Sequence, residues 1–148
     1  RESRSPVSET PHIDPEEGVR NLILKWAADA AGISELPEDS DTHVGEWLET
    51  GLEGRAPYIS IDLIGGLQTY FVSEPILQLD FFSTSRAGVK SMAADTMLRF
   101  LQYPESVPVG DQFFQVDSVA VLQPPVKAEW GDENLRRMSA RIELTVRR

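Results

Sequence analysis

The sequence predicts an α+β fold, a mixed and mainly antiparallel sheet with two helices on one face, in the order α-β-β-β-α-β-β. Three observations lead there. Two stretches repeat apolar residues at helical spacing, several others alternate apolar and polar residues with a period of two, and the two kinds interleave along the chain. At 148 residues the chain is long enough for one domain with a real core.

Residues 1–13 are polar, proline-bearing and aperiodic, and read as a flexible tail; the domain is expected over 14–148. Order begins at Asp14-Pro15-Glu16-Glu17. An aspartate cap, a proline in the first helical position and a glutamate three residues after the cap form a helix start. Val19, Leu22, Ile23, Trp26, Ala27 and Ala30 then recur on one face, and Gly32 offers a stop. Residues 34–56 read as a long acidic loop, with Val44, Trp47, Leu48 and Leu52 at the spacing of one short amphipathic helix.

From Ile59 the period changes to alternation. Ile64-Gly65-Gly66-Leu67 reads as a hairpin turn, because glycines supply positive φ angles. The return strand is expected from Gln68 to Val72, and a third strand from Pro75 to Phe82 with Leu77, Leu79 and Phe81 inward. Thr84 or Ser85 caps a second helix from Arg86, whose core-facing stripe is Val89, Met92, Ala93, Thr96, Met97, Phe100 and Leu101; Tyr103-Pro104 ends it. Strands follow over 112–123 and 137–147, with Pro124-Pro125 and Gly131-Asp132 marking a loop between them. The last strand alternates cleanly, placing Met138, Ala140, Ile142, Leu144 and Val146 inward. The strand over 112–123 is apolar on both sides, with Phe113, Val119 and Val121 on one and Phe114, Val116, Ala120 and Leu122 on the other. A neighbouring subunit is the economical cover for such a strand.

Little in the sequence suggests catalysis. The turn FFSTSRAGVKS, residues 81–91, has the order strand, small residues, helix of a phosphate loop. It lacks the first glycine and the adjoining Gly-Lys pair, so it reads as a helix cap. Arg86 and Lys90 remain as contact candidates. The two histidines, His12 and His43, lie outside any nucleophile motif. Asp39, Asp41 and His43 are the one arrangement with metal-ligand side chains at alternate positions, and Asp62 with Asp80 the one strand pair for acid–base work; solvated carboxylates explain both more simply. The absence of cysteine removes disulfides and thiol chemistry, and fits an intracellular origin. No apolar run is long enough to span a bilayer. A net charge of -10 opposes tight nucleic-acid binding and suits a surface that DNA passes without sticking. Neither a catalytic set nor a metal or cofactor is expected.

The ordered chain resembles the tail terminator family of long-tailed bacteriophages, also called tail completion or head–tail joining proteins. The likeness rests on Asp14-Pro15-Glu16 opening the first helix, the acidic stretch leading to APYISIDLIGG (56–66), and the segments 73–101 and 118–147. It implies a non-enzymatic protein of the virion, assembled in the host cytoplasm. The ring it implies, usually hexameric, caps the tail tube, stops polymerisation and meets the head connector or head-completion protein while DNA passes through. Phe113, Val119 and Val121 are expected at the subunit interface; Trp47, Leu48 and Leu52, with Val44, are read either as an arm that docks on the tube or the next subunit or as a cap on the subunit's own core. The alternative is a homo-oligomeric ferredoxin-like ligand-binding or regulatory domain.

Overall fold

The computed structural model of the protein describes residues 13–29, 32–33, 35–37, 41–48, 51–68, 72–102, 105–128 and 134–147. Helix α1 spans Pro15–Ala28, and the Asp14 carboxylate accepts the Glu16 backbone N–H at 3.0 Å as the sequence suggests. The chain continues through β1 (Val44–Gly45), a single helical turn α2 (Leu52–Arg55), β2 (Tyr58–Gln68), β3 (Val72–Ser83) and α3 (Arg86–Phe100). It ends with β4 (Glu105–Val109), β5 (Gln112–Ala128) and β6 (Arg136–Arg147). The six strands form one sheet in the order β1-β2-β3-β6-β5-β4, parallel only between β1 and β2.

The mixed, mainly antiparallel sheet is as expected, but its element order is not. The glycines do not turn the chain: β2 runs straight through Gly65 and Gly66, which lie opposite Ile76 and Pro75. Ile64 is an extra residue there, and Gly66 adopts φ +124°, with a Cβ position only 2.4 Å from the Glu74 carbonyl. The glycines therefore permit a bulge and a close backbone approach rather than a reversal. The expected return strand from Gln68 to Val72 is not a separate strand among the described residues: Gln68 ends β2, Val72 begins β3, and 69–71 lie outside the described residues, while the expected third strand lies within β3. Nor do Pro124 and Pro125 end β5; among the described residues only β6 pairs with it there, and proline is tolerated where one side of a strand makes no ladder. Three elements were not legible in the sequence: β1, α2 and β4.

The core lies between the sheet and the two long helices. Val19, Leu22, Ile23 and Trp26 of α1 join Val89, Met92, Ala93, Met97 and Phe100 of α3 against Ile59, Ile61, Leu77, Leu79, Phe81, Ile142 and Leu144. Trp26 and Phe100 meet edge to face at 4.8 Å, and Arg99, ion-paired with Asp29, closes over the indole. Of the expected α3 stripe only Leu101 is exposed. Ser85 is the cap, accepting the Gly88 N–H at 2.9 Å. Helix α1 also spans the top of the sheet, joining β4 through Lys25 to Glu105 and through the Asn21 amide to the Pro108 carbonyl. The expected tail lies outside the described residues except Ile13, which packs at the rim of the core.

Candidate assembly surfaces

The second face of the sheet is partly covered by the chain itself. Tyr58 and Phe82, directly opposite one another on β2 and β3, project away from α1 and α3, and with Leu52 and Leu135 form a second small core that Leu48 and Ala56 flank. The described residues 46–48 and 51–56 thus form a strap over this face, held at several points. Ile59 donates its backbone N–H to the His43 carbonyl at 2.9 Å, and Tyr58 donates its hydroxyl to the Glu46 carbonyl at 2.6 Å. Burial raises the Tyr58 pKa, with Arg55 opposing and Glu46 reinforcing, so the hydroxyl stays a neutral donor. His43 Nδ1 lies 2.8 Å from the carbonyls of both Arg55 and Pro57, and so carries its proton and pins the strap.

Beneath the strap sits a buried ion pair. Asp80, 1% exposed, accepts from Arg137 at 2.8 Å and from the Gln78 amide at 3.0 Å, while the Arg137 guanidinium lies over the Trp47 ring at 5.2 Å. Trp47 in turn meets Phe82 edge to face at 5.8 Å. Of the expected docking residues, Leu52 is buried, Leu48 half-buried, and Trp47 is 38% exposed on the outer side. The strap's anchors, Phe82 and Arg137, are distant from it in sequence.

The described carboxylates weighed for chemistry are not brought together as a site. Asp62 lies opposite Gln78 and is exposed, whereas Asp80 is committed to Arg137 and Gln78. Asp39 lies outside the described residues, and the Asp41 carbonyl accepts from Arg20. Between α1, β1 and the strap lies an open cleft of about 360 Å³, lined by Asp14, Glu16, Glu17 and Glu46 with Arg20 and Arg55, above Val44, Tyr58 and Ile61. Glu16 there accepts the Leu63 backbone N–H at 2.7 Å, filling a position on the free edge of β2.

Strand β5 separates the three expected interface residues. Its register carries an extra residue at Asp117, which reverses the alternation. Val119 and Val121 therefore stand opposite Leu144 and Ile142 on the helix-covered face, not on the face of Phe113. Val119 packs against the core, Val121 is 38% exposed, and Phe113, beside the Gly110-Asp111 turn on the other face, is 67% exposed.

No family model and no curated protein matches the sequence. Among solved structures, the chain is similar to a chain of a structure described as the virion of a native gene transfer agent particle. The TM-score is 0.60 at 13% identity, and the match covers 98% of this chain and 100% of that one. At this identity the likeness is one of fold, and it extends over both chains nearly end to end. No described helix is long and apolar enough to cross a membrane.

Proposed function

We propose that the protein is a structural component of a phage-like virion, a ring on the end of the tail tube that halts tube polymerisation and joins the tail to the head connector. The observation that carries this reading is the near end-to-end fold likeness to a virion chain. The order of landmarks shared with tail terminators supports the finer role. Assembly is then the activity, without substrate turnover, and the location is the head–tail junction after assembly in the host cytoplasm.

A closed ring needs two different patches on each subunit, one meeting the other head to tail. Phe113 on the open face and Val121 on the helix-covered face are suited to that role because they face opposite ways; Val119 supports Val121 from the core. Trp47 is the side chain the strap offers to the tube, with Leu48 and Leu52 holding it in place. The net charge of -10 lets DNA slide through.

Immunogold labelling of particles made by the organism that encodes the chain tests the placement. A single site of label between head and tail is expected. Label along the whole tail, or none on intact particles, contradicts the reading.

A further inference from the structure

Strand β5 is paired on both sides only at its start. Strand β4 covers residues 112–116, and from Asp117 to Ala128 no described strand lies on the outer side. This free half contains Ser118-Val119-Ala120-Val121-Leu122-Gln123, a run without charge, rich in β-branched and apolar residues, and of the length that stacks edge to edge between chains. Ala120, Val121 and Leu122 are all exposed, Leu122 by 52%. Such a run on an open edge is a template for another strand.

The same half-strand carries three of the devices that blunt an edge: excess residues, prolines and charges. Asp117 and Leu122 are each one residue in excess of β6, and Pro124 with Pro125 stands opposite the single Ala140, so the ladder is interrupted three times within twelve residues. The two prolines have no N–H to donate to an incoming strand. Asp117 brings a charge at one end, paired with Arg147 at 3.3 Å, and the exposed Lys127 brings one at the other. Asp117 on one side and Pro124, Pro125 and Lys127 on the other thus bracket the run able to pair, and the excess residue Leu122 interrupts it from within.

We infer that the free half of β5 is a latent strand-pairing surface for a second copy of this chain, kept shut by Asp117, the excess residues, Pro124-Pro125 and Lys127. Edge pairing between copies, which is open-ended, is thereby denied. The inference stands on the edge alone and does not depend on the tail-cap reading.

The test replaces the distal guards in the full chain, Pro124→Val, Pro125→Thr and Lys127→Val together. Far-UV circular dichroism follows the fold, and light scattering after size exclusion follows the mass beside the wild type. The folded triple variant is expected to shift to the void volume and to gain an infrared band of intermolecular β-sheet. Adding Ala120→Lys, which returns a charge to the middle of the run opposite Glu143, is expected to restore the wild-type elution. A triple variant that elutes as the wild type does overturns the inference. So does one that unfolds, since the prolines then serve folding rather than protection, and so does association that Ala120→Lys leaves unchanged. Whether the wild type is a ring is read from its own mass in the same experiment, so failure of the tail-cap reading shows separately.

Discussion

Gly18 lies where α1 crosses β5, and a Cβ built on it would sit 2.4 Å from the Phe114 ring, itself fully buried. On propensity alone Gly18→Ala would stabilise the helix by about 1 kcal/mol. The clash outweighs that gain, because the ring has nowhere to retreat, and overpacking costs roughly 1–3 kcal/mol. Chemical denaturation is expected to show a net loss of stability in Gly18→Ala. A second residue-scale effect is electrostatic. Burial pushes the Glu105 carboxyl up, but the hydrogen bond and charge of Lys25 outweigh it and hold the pKa below its ordinary value. A group lowered on folding contributes stability above its unfolded pKa and loses it as pH falls through the folded one. Glu105→Gln is therefore expected to be less stable than wild type at neutral pH, with the two melting curves converging below the carboxylate range. A constant gap at all pH values would refute the ion pair's role.

At the scale of elements, the two long helices α1 and α3 and strand β6 were legible because one face of each decides everything. Asp14-Pro15 and Ser85 are local signals, and Ala140, Ile142, Leu144 and Val146 alternate without interruption. Misreadings gathered where an extra residue or a distant partner intervenes. Gly65-Gly66 looks like a turn until Glu74 and Pro75 are seen pressed against it, and Phe113, Val119 and Val121 share a face only if Asp117 is counted as a regular strand residue. The spacing of Val44, Trp47, Leu48 and Leu52 allows a cap on the subunit's own core as well as an arm, but does not show which residues it would meet: Phe82, Leu135 and Arg137 are distant in sequence. Trp47→Ala with Leu48→Ala is expected to cost about 2 kcal/mol by thermal melting, through lost contacts to Phe82 and Arg137. An unchanged melt would show that the strap does not hold the second face. Met97→Asp places a charge between α3 and the sheet and is expected to cost several kcal/mol; a melt like the wild type would refute the packing.

At the scale of the whole molecule, the features fit a part that joins others a fixed number of times. One face of the sheet is sealed by two helices, the other is partly strapped, and the free edges of β2 and β5 are both interrupted. Exposed apolar side chains remain in separate places, Phe113 on one face and Val121 on the other, which suits a contact that passes from subunit to subunit and closes. A symmetric dimer around a closed apolar pocket, the arrangement of a ligand-binding domain, would instead use one patch twice. The most direct measurement is the native mass spectrum of the purified full chain, with Phe113→Asp beside it. The proposed reading predicts a single closed oligomer of ring stoichiometry that Phe113→Asp reduces to folded monomers. A wild-type spectrum of dimers or monomers at every concentration, or a ring that Phe113→Asp leaves intact, would contradict it.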